Sequence, residues 1–136
     1  MISASRPERR VPSARKPGSL PAQDEAALWD MEERFWTGGV DSARRMTAKG
    51  AVFVFPYPAG ILQGDALWRE RDVAQRWRSV VMSERYLTGR GDVAVLAYRV
   101  SAERSGDPIC EALCTSTYLR DDTSWVRLTH QQTPAH

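Results

Sequence analysis

A chain of 136 residues with a formal charge of +2, only two cysteines and 42% hydrophobic residues is long enough for one domain with its own core, without disulfide or metal staples. The positive charge is concentrated at the start, where Arg6, Arg9, Arg10, Arg15 and Lys16 stand against Glu8 alone. The remainder is close to neutral, which argues against a nucleic-acid-binding face, and no apolar run reaches the ~20 residues of a membrane span.

In chain order, residues 1–22 carry four prolines, several serines and five basic residues with almost no apolar periodicity. Such a segment buries too little surface to offset its ordering entropy, and it reads as a disordered basic tail preceding a domain over residues 23–134. Asp24 offers an N-cap to a first helix. Leu28, Met31 and Phe35 form its apolar line, Trp29 and Trp36 flank it, and Gly38–Gly39 stops it. A short second helix is expected from Asp41 to Lys49, then a compact strand from Ala51 to Phe55 closed by Pro56. Asp65 is the N-cap candidate of a third helix running to Val80, with Ala66, Glu70, Val73, Ala74 and Trp77 on one side and Arg69, Arg71, Arg76 and Arg78 around the others, interleaved with Glu70 and Asp72.

The last third is strand-like. Val80–Thr88 and the stretch Asp92–Pro134 are rich in Val, Leu, Thr and Tyr and are broken by the polar clusters Gly89–Asp92, Ala102–Pro108 and Asp121–Ser124. Short polar connections between such runs imply an antiparallel meander. Arg90–Gly91–Asp92 spells an adhesion tripeptide but reads as one of these turns. Cys110 and Cys114 fall in one strand, roughly 13 Å apart at ~3.3 Å per residue, too far for a disulfide. Free core thiols fit a reducing, cytoplasmic compartment.

Parity assigns side chains to faces. In the last strand Val126, Leu128 and His130 share one face and Trp125, Arg127, Thr129 and Gln131 the other. The more apolar face is expected inward, with His130 facing the helices and Trp125 outside, at a dimer contact or under a neighbouring side chain. In the preceding strand Cys110, Ala112, Cys114, Ser116 and Tyr118 oppose Glu111, Leu113, Thr115, Thr117 and Leu119. Neither set is cleanly apolar, so parity does not choose between them.

The element order, the strand AVFVFP, the turn Gly60–Gly64, the run Gly91–Arg99 and above all the ending Ser116–Pro134, with a tryptophan opening the last strand and a His–Gln pair near its end, resemble the nuclear transport factor 2-like superfamily. Within it the nearest likeness is to the SnoaL-like and ketosteroid-isomerase-like domains, in their functionally uncharacterised branch. The resemblance implies an α+β cone, a strongly curved antiparallel sheet packed against three N-terminal helices, enclosing an apolar cavity, and a homodimer through the sheet's outer face. The steroid-isomerase carboxylate has no counterpart in Val52–Pro56. The cyclase-like acid–base histidine has one, His130.

His130 has two roles open to it, as a general base near neutrality, helped by Glu111 or Tyr98, or as a structural hydrogen-bonding residue. The other pocket candidates are Trp29, Trp36, Phe55, Tyr57, Trp77, Tyr98, Ser116 and Tyr118, each also a plausible core residue. No second ligand stands at a useful spacing from His130, so no metal is expected, nor is any cofactor. The expected function is a homodimeric domain whose apolar pocket binds a small organic molecule. A lyase, isomerase or cyclase using His130, and a dimerisation module with a filled cone, are the alternatives.

Overall fold

The computed structural model describes residues 20–70 and 73–135. The expected 1–22 tail lies outside the described residues except for its last three, Leu20 to Ala22. Among the described residues no helix is long and apolar enough to cross a membrane. Two helices, α1 (Ala22–Thr37) and α2 (Val40–Arg45), precede six strands: β1 (Thr47–Val54), β2 (Ile61–Gln63), β3 (Ser79–Arg90), β4 (Val93–Glu103), β5 (Cys110–Asp121) and β6 (Ser124–Pro134). They form one sheet in the order β2-β1-β6-β5-β4-β3. All neighbours are antiparallel except β1 and β6, which run parallel.

The meander from β3 to β6 follows the expected strands, and the β3–β4 and β5–β6 connections are tight: Gly91 at φ 60° and Asp122 at φ 62° supply the left-handed turn conformations. Two irregularities bend it. In β3, Ser83 faces Arg99 and Tyr86 faces Ala97, so one extra residue is accommodated beside Glu84, itself at φ 49°. In β6, Arg127 faces Tyr118 while Thr129 faces Thr117, which leaves Leu128 without an opposite number. Bulges of this kind increase local twist and curve the sheet.

The second bulge overturns the parity reading of the last strand. Trp125 and Arg127 point inward, and after the extra residue so does His130. His130 is on the expected side, but because strict alternation fails at Leu128. Trp125 is therefore not an outer-face contact; it packs with Leu20, Leu28, Ala94, Leu96 and Tyr118, and the Arg120 guanidinium lies 4.6 Å over its ring. For β5 the structure makes the choice that composition left open: Ala112, Cys114, Ser116 and Tyr118 are buried and Glu111, Leu113 and Thr115 are exposed. Cys110 and Cys114 are free thiols.

Two helical expectations shift. The chain turns into β1 at Thr47, so α2 ends at Arg45 rather than near Lys49. The third helix is reduced to a six-residue 3-10 turn, Gly64–Arg69. Beyond it the backbone seeks partners across the fold: Trp77 N–H donates to the Trp36 carbonyl and Arg78 N–H to that of Glu103. Val73 and the adjacent Ala74, at φ 53°, are both buried, which one helical stripe would not achieve. Tertiary burial overrides helix propensity here.

The folded unit begins earlier than expected. Leu20 is buried, and an ideal Cβ placed on Gly89 would lie 2.7 Å from both its Cγ and Cδ2. Glycine at 89 thus leaves room for the chain entering α1. Gly89→Ala is expected to displace Leu20 and cost about 1–3 kcal/mol in urea unfolding. In a Leu20→Ala background the same change should cost markedly less, because the colliding atoms are gone.

Candidate functional site

Glu32 lies on the apolar line of α1, four residues after Leu28 and three before Phe35, so helical geometry aims it into the core. It is fully buried, together with Arg127, Ser116 and His130. A carboxylate so placed needs partners on every lone pair. Its Oε2 accepts from Tyr98 OH at 2.6 Å and from Ser116 Oγ at 2.5 Å; its Oε1 accepts from Tyr118 OH at 2.5 Å and from Arg127 Nη2 at 3.2 Å. These donors come from β4, β5 and β6, so the cluster ties α1 to the last three strands of the meander.

A second ring of contacts fixes the donors. Trp36 Nε1–H donates to Tyr98 OH at 2.9 Å. Arg127 also reaches Tyr118 OH at 2.5 Å, Thr47 Oγ1 at 3.2 Å and the Met31 carbonyl at 3.4 Å, with its guanidinium 4.5 Å from the Phe35 ring centre. Among the described residues only its Nε lacks a partner among buried side-chain polar atoms. His130 sits 2.8 Å from Ser116 Oγ through Nδ1 and 2.9 Å from Gln132 Oε1 through Nε2.

The electrostatics follow from this geometry. Burial pushes the Glu32 carboxyl upward, but the Arg127 charge, His130 and the Ser116 hydrogen bond outweigh it and hold the group well below the ordinary carboxylate value. Burial and the Glu32 charge raise the Tyr98 phenol. Burial raises Tyr118 too, partly offset by Arg127. For Arg127, burial acts downward, yet Tyr118 and Glu32 keep it firmly protonated. Burial pushes the Cys114 and Cys110 thiols up, away from thiolate reactivity.

Beside this cluster lies a cleft of about 300 Å³. Phe35 and Trp36 of α1, Phe55, the Pro56–Ala59 loop, Ala74, Gln75, Trp77, Cys110 and Gln132 line it. The sequence-derived candidates therefore divide. Trp36, Phe55, Tyr57 and Trp77 meet at the cleft, Tyr57 being 93% exposed at its rim. Tyr98, Ser116 and His130 belong to the buried cluster, as does Tyr118. Trp29 joins neither; it packs edge-on to Tyr98 at 5.8 Å under Arg85. Glu111 is exposed, 3.7 Å from Arg99, and cannot assist His130.

Sequence reasoning passed over Glu32, Arg127 and Gln132 as site residues. Glu32 carried a signal, a lone acid on the Leu28–Phe35 line. Arg127 carried none, since its facing depends on the bulge.

Neither a family profile nor a curated protein sequence matches the chain. Solved structures do. A Nostoc punctiforme protein of unknown function with a cystatin-like fold is 16% identical, with 85% of this chain and 94% of that one aligned at a TM-score of 0.71. A candidate ketosteroid isomerase from Parabacteroides distasonis is 15% identical over 79% and 85% at 0.69. The CaMKII hub homology domain of Chlamydomonas reinhardtii is 14% identical over 85% and 97% at 0.63. Together with the NTF2-like protein of Pseudomonas putida, 14% identical over 85% and 89% at 0.68, they identify the fold of this chain as nuclear transport factor 2-like.

Proposed function

We propose that the domain binds a small organic molecule in the aromatic cleft and associates as a homodimer through the outer face of its sheet. The observation that carries the binding reading is the cleft itself, about 300 Å³, with Trp36, Phe55, Tyr57 and Trp77 in its wall and Gln75 and Gln132 beside them, a mixture of aromatic and polar groups found in ligand pockets. Acid–base catalysis by His130 is the weaker reading, because the ring is fully buried and both nitrogens are engaged, whereas a general base must reach its substrate. The cluster around Glu32 instead gives the cleft a rigid back wall.

N-phenyl-1-naphthylamine, neutral and apolar, is expected to bind with energy transfer from Trp36 and Trp77. Ala59→Trp, which fills the mouth, should abolish the signal at unchanged melting temperature. A signal that persists undiminished in this variant would place the probe elsewhere.

Support for the dimer comes from the outer face, where Tyr86, Ala97, Leu113 and Thr115 line a shallow, mainly apolar groove. Tyr86 is 73% and Leu113 48% exposed, which leaves apolar surface at this groove for a second copy to cover. Leu113→Arg should shift the sedimenting species from dimer to monomer with little change in melting. A monomeric wild type would remove this part of the proposal.

A further inference from the structure

One hydrogen-bond relay runs from the cleft wall into the buried cluster, and its direction is fixed by chemistry. An indole N–H only donates, and an ionised carboxylate only accepts. Trp36 Nε1–H donates to Tyr98 OH at 2.9 Å, and that hydroxyl gives its single proton to Glu32 Oε2 at 2.6 Å. Burial works against the Glu32 charge, but Arg127 and the hydrogen bonds to the carboxylate outweigh it. The order is therefore indole to phenol to carboxylate, with all three residues buried.

The two ends of the relay are held differently. Tyr98 belongs to β4, a strand paired on both edges, with β3 and with β5. Trp36 is the penultimate residue of α1, where backbone carbonyls have no partner within the helix. Its carbonyl accepts from Trp77 N–H at 2.9 Å instead, and the two indole rings meet at 6.4 Å and 56° to form a corner. Both rings line the cleft, whereas Tyr98 does not. Without the Tyr98 hydroxyl, the Trp36 N–H would be a buried donor with no acceptor, a state costly enough to favour turning the ring so that the N–H reaches the open cleft.

We propose that Tyr98 is a positioning residue for the cleft: its hydroxyl fixes the Trp36 indole, and with it the Trp36–Trp77 corner, in the orientation that receives a flat aromatic ligand. This rests on the cleft being a binding site, as argued above. Tyr118 provides the internal comparison. It too donates to the Glu32 carboxylate, but it packs with Leu20, Leu28, Ala94, Leu96 and Trp125 and has no place in the cleft wall. Support of Glu32 is common to the two phenols, and the link to Trp36 belongs to Tyr98.

The test titrates the full chain with N-phenyl-1-naphthylamine. Tyr98→Phe should weaken binding about threefold to tenfold, the range that one lost buried hydrogen bond represents. Tyr118→Phe removes the same kind of donor from the same carboxylate, and it should lose stability yet weaken binding far less. Trp36→Phe keeps a ring but has no N–H, so adding Tyr98→Phe to it should weaken binding no further. In the free wild type the Trp36 indole proton should exchange with solvent as slowly as the amides of β4, a measurement that does not depend on any variant folding. Wild-type affinity in Tyr98→Phe, an equal loss in Tyr118→Phe, a Tyr98 effect that persists in Trp36→Phe, or an indole proton exchanging as fast as an exposed one would each overturn the positioning role while leaving the cleft a binding site. Failure of the wild type to bind the probe would overturn that role and the cleft reading together.

Discussion

Arg127→Met is expected to lower the unfolding free energy by about 3–5 kcal/mol, the usual consequence of removing one partner from a buried ion pair. The reason is the stranded carboxylate. Glu32 is fully buried, and Tyr98, Tyr118 and Ser116 offer it hydrogen bonds but no charge in place of that of Arg127. Urea unfolding at neutral pH measures the loss. Glu32→Leu combined with Arg127→Met should recover part of it, because the second change removes the uncompensated charge. Recovery should stay incomplete, since Tyr98, Tyr118 and Ser116 then lose their acceptor. A single Arg127→Met variant within 1 kcal/mol of wild type would show that Glu32 is balanced by other means.

Acid lability should trace to the same carboxylate. The folded-state pKa of Glu32 is depressed below its ordinary value of 4.5, so its contribution to stability is complete above that pH and is lost as pH falls towards the folded value. Over that window a single such group removes up to about 1.4 kcal/mol of stability per pH unit. Wild type should therefore lose stability more steeply below pH 4.5 than Glu32→Gln, which is less stable at pH 7 but has no proton to take up at this position. Parallel profiles for the two proteins would mean that Glu32 titrates alike in the folded and unfolded chain.

Much of the architecture is legible in the sequence because it rests on short-range signals. The strands from Ser79 to Pro134 announce themselves through β-branched and aromatic runs punctuated by Gly91, Asp107 and Asp122, and the endings around Ser116–Pro134 carried the family likeness. The segment after Asp65 misleads, since its apolar spacing fits a helix while Val73 and Ala74 are buried one after the other and Trp77 is half-buried at the cleft. Glu32 was hidden for a different reason. A single acid on an apolar stripe is compatible with a solvent-facing residue until the donors from three strands are known to converge on it. The inward side of β5 depends likewise on Glu32, whose partners Ser116 and Tyr118 make that mixed face the buried one.

Leu128 illustrates how the site depends on spacing as much as on residue identity. A strand of strict period two can direct Arg127 or His130 at a helix carboxylate, never both, because three positions separate them. The uncoupled residue changes the phase of the strand between them and brings an odd-numbered and an even-numbered position to the same acid. Deleting Leu128 would preserve every group of the cluster and still dismantle it. A one-residue length change at this point is thus a more drastic edit than most substitutions within the cluster, and a relative lacking the extra residue would have to be expected to keep the fold with a differently charged interior.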